Sequence, residues 1–165
     1  MAMKFDSDEM LPFYREREAN GIFSQWYRAD MTIDGRKFFC CEQYMMWSKA
    51  ILFNDSETAE KIMLAKTPKE IKKLGREVSN FDQAVWNKNK LEIVIKANYN
   101  KFTQNGELLK QLLATGDRVL VEASPWDRIW GVGLDVDDPD VYDRDKWKGQ
   151  NLLGQALMAV RDMVR

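Results

Sequence analysis

The chain has 165 residues, with 25 Lys and Arg against 26 Asp and Glu, six Trp, two Cys and no His. This length fits one domain with a substantial core, and the formal charge of −1 argues against a basic footprint over the whole chain, although a local basic patch stays open. The absence of His excludes Ser-His-Asp triads, Cys-His dyads, zinc sites built with His, and imidazole acid–base catalysis.

The first part of the chain reads as strands. Residues 1–10 carry charges where a secretory signal needs an apolar run, and no stretch reaches the roughly 18 apolar residues of a membrane helix. Residues 22–27 predict a strand, and Asp34-Gly35 between two short apolar runs predicts a β-hairpin. With no linker, repeat or low-complexity tract, we expect one cytoplasmic domain over residues 1–165 and no membrane partner.

The middle and end of the chain are mostly helical in pattern. Helices are predicted at residues 42–53, 57–65 (started by Ser56), 67–75, 81–102 and 107–114. Thr67-Pro68-Lys69-Glu70 is a capping box with Pro at the first helical position, and Gly116 is placed to end the fifth helix. A strand at residues 118–123, a loop at 124–134 and an acidic stretch at 135–145 precede a final helix that Asn151 can cap. The predicted fold is α+β and mostly α-helical, with a short N-terminal β-hairpin and a small sheet.

Cys40 and Cys41 are adjacent in the sequence. Neighbouring residues of a strand point to opposite faces, so a disulfide between them is not expected. Two thiols also make a poor metal site without further ligands. We therefore predict two reduced, packed thiols in a reducing compartment rather than a redox pair.

Glu42 and Lys49 are seven residues apart, which places them two turns apart on nearly the same side of the first helix. Met45 and Met46 occupy the face between them. A carboxylate and an amine therefore share an apolar surface, which indicates a functional pair. The alternative is structural: both side chains are long enough to reach solvent past the methionines.

The long fourth helix shows a similar break in pattern. Lys90, Asn98 and Lys101 fall inside its apolar arc rather than opposite it. Periodicity alone favours solvated positions at the edge of that arc, while a lysine beside a cavity could bind phosphate as a point charge.

Residues 122–133 bring together two carboxylates, two indoles, a hydroxyl and two glycines after a predicted strand. Gly131-Val-Gly133 lets the backbone approach a ligand closely, but the third glycine of a dinucleotide fingerprint is missing. The acidic stretch that follows lacks the spacing of a calcium loop, because Pro139 stands at a ligand position and no glycine follows. We read that stretch as a solvated loop and expect no metal.

Short motifs in a fixed order resemble the NADAR superfamily, also called the YbiA-like fold, from about Gly21 to Arg165. The matching stretches are Glu42-Gln43-Tyr44 through Lys49-Ala50, Leu74-Gly75-Arg76, Trp86, Lys101-Phe102, 113–116, Glu122-Ala-Ser124, 127–133 and Trp147 through Gly154. The N-terminal segment, residues 1–20, is atypical. Gln25 stands where many members have Asn.

The resemblance implies a single NADAR domain that hydrolyses the bond between a ribose anomeric carbon and an exocyclic nitrogen, without a cofactor or metal. One branch of the family acts on early riboflavin-pathway ribosylamino-pyrimidine phosphates, and another removes ADP-ribose from guanine in DNA or RNA. The implied catalytic residues are Glu42, Lys49 and Asp127. The implied substrate-binding residues are Trp86, Trp130, Trp147, Asn151, Arg76, Lys101, Glu122 and Gly131.

This residue set suits the scission of an N-glycosidic bond. Lys49 would act at the anomeric carbon, as a proton donor or through a Schiff base with the opened sugar, and Glu42 or Asp127 would serve as acid or base. Trp86 and Trp130 would stack on the heterocycle, and Asn151 at a helix start would bind sugar or phosphate. The near-neutral charge favours the small ribosylamine phosphate. ADP-ribosylated nucleic acid is the alternative substrate, and a non-catalytic ADP-ribose binder is the alternative function.

Overall fold

A computed structural model describes residues 9–165, and the predicted hairpin forms around Asp34-Gly35. Both turn residues have positive φ, 50° at Asp34 and 82° at Gly35, which is the backbone conformation that a tight two-residue hairpin turn requires. The strands are β2 (Met31–Ile33) and β3 (Arg36–Phe38), which pair antiparallel. Their apolar side chains are buried because alternate residues of a strand share one face.

The hairpin belongs to a compact unit, Arg28–Asn105, that also contains four helices. These are α1 (Cys41–Leu52), α2 (Ser56–Leu64), α3 (Pro68–Arg76) and α4 (Gln83–Thr103). The core of this unit joins the hairpin to α1 and α4 through Met31, Ile33, Phe38, Cys41, Tyr44 and Ala97. The hairpin therefore covers an apolar side of two helices instead of standing alone.

Side-chain caps decide where three of these helices begin. Asp55, Thr67 and Asp82 each accept hydrogen bonds from backbone amides two or three residues later, which satisfies donors that the first turn leaves open. Thr67 caps α3, and Pro68 is the first residue of the helix, as the sequence predicts. Asp55 rather than Ser56 caps α2, and Asp82 makes α4 begin two residues later than predicted.

The second unit consists of the described residues up to Tyr27 together with Gly106–Arg165. Its sheet pairs β1 (Met10–Phe13) in parallel with β4 (Val119–Glu122). Two helices accompany the sheet, α5 (Gly106–Ala114) and α6 (Leu152–Val164). β4 lies within the strand predicted at residues 118–123, whereas β1 is missed by the sequence analysis.

The strand predicted at residues 22–27 is wrong. Gly21–Phe23 instead forms a short 3₁₀-helix, and the Ser24 amide donates to the Gly21 carbonyl at 3.0 Å. Gly21 lies so close to the preceding turn that a Cβ atom would stand 2.6 Å from the Arg15 carbonyl oxygen. The chain turns tightly here. Phe23 is apolar because it is buried in this turn, and not because it belongs to a strand.

The second unit has its own apolar core and a buried guanidinium. The core comprises Met10, Val121, Ala123, Val132, Leu134 and Val141. Arg161 of α6 is 4% exposed and donates to Thr115 Oγ1 at 3.0 Å and to the Arg118 carbonyl at 2.8 Å. Over residues 9–165 the fold is thus α+β and mostly helical, as predicted, and it contains two small two-stranded sheets.

Candidate active site

Glu42 and Lys49 lie at opposite ends of α1, in its first and last turns. Glu42 is 5% exposed, and Met45 and Met46 between them are also buried. The shared apolar face predicted from their spacing is therefore present. The structural alternative, in which both charged groups reach bulk solvent, does not hold for Glu42.

The Lys49 amine is held by contacts that come from α3, from Phe81 just before α4, and from α4 itself. Its Nζ donates to the Gly75 carbonyl at 2.8 Å. It also lies 4.7 Å from the centre of the Phe81 ring and 5.7 Å from that of Trp86, within the range of a cation–π contact. We call Lys49, Glu42, Gly75, Phe81 and Trp86 the Lys49 cluster.

Burial lowers the pKa of Lys49, because an ammonium group loses water contacts inside the cluster. The negative charge of Glu42 acts in the opposite direction and raises that pKa in part. A lowered pKa enlarges the fraction of neutral amine near neutral pH. The cluster therefore offers a nucleophile or a proton donor that contacts an indole and is influenced by the charge of a carboxylate.

Phe81 and Gly75 are members of the cluster that the sequence analysis missed. Phe81 is 42% exposed and precedes α4, where its ring packs against Phe53 with centroids 5.4 Å apart. The sequence does contain a signal for Phe81: Asp82 is a favoured capping residue, and a cap at Asp82 would place Phe81 before the helix rather than in its first turn. Gly75 contributes only its backbone carbonyl, which leaves no side-chain signal.

Lys90, Asn98 and Lys101 are buried, so the expectation of solvated edge positions is wrong. They are 8%, 0% and 0% exposed, respectively. Lys90 Nζ donates to Asn87 Oδ1 at 2.9 Å, and Asn98 donates to the Val94 carbonyl at 2.9 Å. Burial lowers the pKa of Lys101, and Cys41 and Cys40 act to raise it. Arg76, by contrast, is exposed at the end of α3.

Asp127 shapes the loop that follows β4. Its Oδ1 accepts hydrogen bonds from the amides of Ile129 at 2.9 Å and Trp130 at 2.8 Å, a local turn typical of Asp. One carboxylate oxygen is thus engaged in holding the loop. Gly131 follows at a tight position, where a Cβ atom would stand 2.9 Å from the Glu122 carbonyl oxygen.

Asn151 connects β4 to the start of α6. The side-chain Nδ2 of Asn151 donates to the Leu120 carbonyl at 2.9 Å, and its Oδ1 accepts from the backbone amide of Glu122 at 3.0 Å. The residue is 2% exposed, has φ of 54° and makes no side-chain cap on α6. The position of the predicted cap is right, but its side chain binds the strand instead of the helix.

The loop occupies the first two amides of α6 and the two amides that precede the helix. The amides of residues 150, 151, 152 and 153 donate to the carbonyls of residues 128, 131, 129 and 130, at 2.9 to 3.2 Å. These bonds satisfy donors that would otherwise be open to an anion at the helix start. They also place the peptide groups of the loop firmly against the helix.

The tryptophans of the second unit differ in their surroundings. Trp130 is half-buried in the loop. Trp147 packs against the unit's core cluster, and its Nε1 donates to the Val141 carbonyl at 2.8 Å. Trp126 is 86% exposed.

The predicted site residues fall into two sets, one within Arg28–Asn105 and one within Gly106–Arg165. In the first set, the structure brings Lys49 into contact with Trp86 and under the electrostatic influence of Glu42. In the second, it links Asp127 to Trp130, and Asn151 to Glu122 and Gly131.

Residues 9–165 hold neither a metal-binding cluster nor a membrane-spanning helix. No group of three or more His, Cys, Asp and Glu side chains is arranged there to hold a metal ion. None of the helices in that range is both long and apolar enough to cross a bilayer. In the acidic stretch, Asp138 and Asp143 cap the short 3₁₀-helices Pro139–Tyr142 and Arg144–Lys146.

The family model described as NADAR domain matches residues 12–165. The chain belongs to the NADAR family. One relative of this NADAR protein is "N-glycosidase R617" of Acanthamoeba polyphaga mimivirus, 44% identical over 146 residues that cover 86% of each protein. Another is "N-glycosidase YbiA" of Escherichia coli (strain K12), 30% identical over 157 residues, 95% of this chain and 89% of that protein.

The fold comparison agrees with this assignment. The NMR structure of Escherichia coli YbiA matches with a TM-score of 0.79 and 29% identity, covering 98% of this chain and 88% of that one. A third relative is "Riboflavin biosynthesis protein VVA0006" of Vibrio vulnificus (strain YJ016), 31% identical over 94% of this chain but only 38% of that protein. The predicted family, fold and enzyme class, a hydrolase of N-glycosyl bonds, are confirmed.

Proposed function

We propose that this NADAR protein hydrolyses the bond between the ribose anomeric carbon and the exocyclic nitrogen of early riboflavin-pathway ribosylamino-pyrimidine phosphates. The observation that carries the proposal is the Lys49 cluster, in which a partly desolvated amine lies against two aromatic rings and within the electrostatic influence of a buried carboxylate. Relatives named N-glycosidase support the reaction, and one named a riboflavin biosynthesis protein supports the substrate.

Lys49 is the proposed nucleophile. The ribose ring opens by breaking the bond between the anomeric carbon and the ring oxygen, which leaves that carbon doubly bonded to the exocyclic nitrogen. The neutral amine of Lys49 adds to this carbon, and the electron pair of the π bond moves to the exocyclic nitrogen as the new carbon–nitrogen bond forms. The exocyclic amine then leaves from the same carbon with its electron pair and a proton supplied by a carboxylic acid. Water hydrolyses the resulting lysine imine, which returns the free amine and releases ribose phosphate as the aldehyde.

Glu42 is the proposed proton donor and acceptor, because its charge acts on Lys49 directly. Asp127 remains a second proposed carboxylate, with one oxygen engaged in its own loop. Trp86, next to the amine, would stack on the heterocycle, which is worth on the order of 1–3 kcal/mol per base. Substrate-binding roles are proposed for the remaining predicted residues, Trp130, Trp147, Asn151, Arg76, Lys101, Glu122 and Gly131.

The test of Lys49 combines turnover with chemical trapping. We expect Lys49→Ala to lower kcat by about 10²-fold or more, and borohydride with substrate to leave a ribose phosphate adduct on Lys49 of the unsubstituted protein. Lys88→Ala is the matched control, because Lys88 is an exposed lysine of α4 outside the cluster. A near-normal rate in Lys49→Ala without any adduct would exclude the imine.

Removal of ADP-ribose from guanine in nucleic acid is the second candidate function. The observation that favours it is the charge of the unit holding Lys49, in which Arg28–Asn105 carries 14 Lys and Arg against 10 Asp and Glu. A side-by-side assay with the pyrimidine ribosylamine phosphate and an ADP-ribosylated guanine oligonucleotide separates the two. Release from the oligonucleotide alone would replace the first candidate with the second.

The cytoplasm is the proposed location. Cys40 and Cys41 are free and buried, which fits a compartment that keeps thiols reduced.

A further inference from the structure

The two aromatic rings of the Lys49 cluster differ in how much of their surface reaches water. Trp86 is 7% exposed, whereas Phe81 is 42% exposed. Both rings lie within cation–π range of Lys49 Nζ, and Phe81 is the nearer of the two, at 4.7 Å against 5.7 Å. A ligand that arrives from solvent can cover only surface that is accessible. Phe81 therefore offers more aromatic surface to a heterocycle beside the amine than Trp86 does.

The start of α4 fixes the position of Phe81, although the residue lies outside the helix. Asp82 Oδ1 accepts hydrogen bonds from the amides of Ala84 at 2.9 Å and Val85 at 3.2 Å, so the cap sets the direction of the chain just before the helix. An apolar residue at that position commonly packs toward the fifth residue after it, which here is Trp86. Local backbone geometry thus directs both rings to the same amine before any ligand binds.

Phe53 supports the Phe81 ring without stacking on it. Phe53 is 6% exposed, and the two ring centroids are 5.4 Å apart with an angle of 66° between the rings. This tilted arrangement is a favourable contact between aromatic side chains, and it does not lay one ring face to face on the other. A purely structural role, in which Phe81 only covers Phe53, is the alternative that an experiment has to separate.

The covalent geometry of the proposed reaction brings the leaving group close to this ring. When the Lys49 amine bonds to the anomeric carbon, only that carbon and the exocyclic nitrogen separate the amine nitrogen from the pyrimidine. Aromatic rings attract each other at centroid separations of about 4.5–7 Å. Phe81 lies 4.7 Å from the same amine, so its ring is within stacking range of the pyrimidine that departs.

We propose that Phe81 is a substrate-binding residue whose ring stacks on the pyrimidine leaving group at the accessible side of the Lys49 cluster. The inference rests on the proposed function and adds the residue that binds the heterocycle. Trp86 reaches the same pyrimidine only through the small part of its surface that is exposed. Stacking acts on the bound substrate and on the departing amine alike, so Phe81 affects substrate binding more than the chemical step.

Steady-state kinetics with the pyrimidine ribosylamine phosphate test this role. We expect Phe81→Leu to raise KM about 5-fold or more, as for the loss of one stacked base, and to leave kcat within about twofold of its original value. Phe81→Tyr keeps the ring and should restore KM. Tyr99→Leu is the matched control, because Tyr99 is an aromatic residue of α4 that is 43% exposed and lies outside the cluster. It should leave KM unchanged.

Three kinetic results would overturn the role of Phe81. An equal rise of KM in Phe81→Leu and Tyr99→Leu would indicate a general effect of losing an aromatic side chain. A lower kcat with an unchanged KM would show that Phe81 acts through the Lys49 amine. A lower midpoint of thermal unfolding with an unchanged KM would show that the ring only covers Phe53.

A binding experiment separates the role of Phe81 from the proposed function. Saturation-transfer NMR with the free heterocycle, a diaminopyrimidinone, needs no turnover. Weaker binding to Phe81→Leu than to the unsubstituted protein supports the stacking contact even where the ribosylamine phosphate is not hydrolysed. Hydrolysis with an unchanged KM in Phe81→Leu leaves the proposed function in place and removes the role of Phe81. Neither hydrolysis nor binding by the unsubstituted protein would overturn both.

Discussion

The amine of Lys49 is partly shielded from water and is influenced by three kinds of neighbouring group. The Gly75 carbonyl accepts a hydrogen bond from the amine, two aromatic rings contact it, and the charge of the buried Glu42 carboxylate acts on it. Burial lowers the pKa of Lys49, while the charge of Glu42 raises it. The reactivity of this amine is therefore the balance of two opposing effects, and substitution can separate them.

Glu42→Gln removes the negative charge and keeps the size of the side chain. We expect the pKa of Lys49 to fall further, because desolvation then acts without the opposing carboxylate. The pH midpoint for modification of Lys49 by a small aldehyde with cyanoborohydride, read by mass spectrometry, should move to lower pH. Glu60→Gln, at an exposed carboxylate of α2, should leave the midpoint in place. A rise in the midpoint of Glu42→Gln would contradict this account.

The pair Glu42 and Lys49 could be predicted because both residues lie on one helix, where spacing alone fixes their relative direction. The same reasoning fails for Lys90, Asn98 and Lys101. Each lies in an apolar arc of α4, but burial depends on what packs around that helix, and this information is not local. Long polar side chains at such positions can be either solvated or enclosed, and periodicity does not distinguish the two.

At the level of elements, α1 and α3 approach each other closely at one glycine. A Cβ atom on Gly75 would overlap Met46 Sδ and stand 2.8 Å from Met46 Cγ. The same glycine presents its carbonyl to Lys49. The helix contact and the position of the Lys49 amine thus depend on one residue without a side chain.

Gly75→Ala should push Met46 aside and displace the carbonyl that holds Lys49. We expect a destabilisation of about 1–3 kcal/mol from overpacking and a loss of kcat of up to about 10²-fold from misplacement of the amine. Met46→Ala combined with Gly75→Ala relieves the overlap and should recover part of kcat. Gly106→Ala is the control, since no atom lies within 4 Å of its Cβ position. Equal effects of the two glycine substitutions would refute the packing argument.

Local signals explain which elements are predictable. The turn at Asp34-Gly35 and the Thr67 cap act through neighbouring backbone groups, and both are found at their predicted positions. β1 is missed because its partner β4 lies about 110 residues later, and a four-residue strand carries little pattern of its own. The sequence predicts the loop after β4 at its observed position. It does not predict the hydrogen bonds from the amides of residues 150–153 to the carbonyls of this loop, because these groups meet only when the chain has folded.

On the scale of the whole molecule, the two thiols report on the integrity of the core. Cys40 and Cys41 are both 0% exposed. Burial raises the pKa of Cys40 to about 12 and that of Cys41 to about 11. Thiols of this kind react only when the surrounding structure opens, because the thiolate is the reactive form.

Ellman's reagent should therefore find little reactive thiol in the native protein at pH 8, no more than about one-tenth of the total. Both thiols should react within the mixing time in guanidinium chloride. Lys88→Cys supplies an exposed thiol on α4 as a reference, which should react at once under native conditions. Rapid native reaction of Cys40 or Cys41 would show that this core opens far more often than its burial implies.

The hydrogen bonds between the loop after β4 and the start of α6 hold the loop in one conformation before a ligand binds. Carbonyls of residues 128–131 are bound to the amides of residues 150–153, so the loop cannot swing as a flap without breaking hydrogen bonds. Its shape is set before any encounter. A ligand that touches this loop gains contacts without an entropic penalty for ordering the backbone, and its association is governed by diffusion rather than by a gating step.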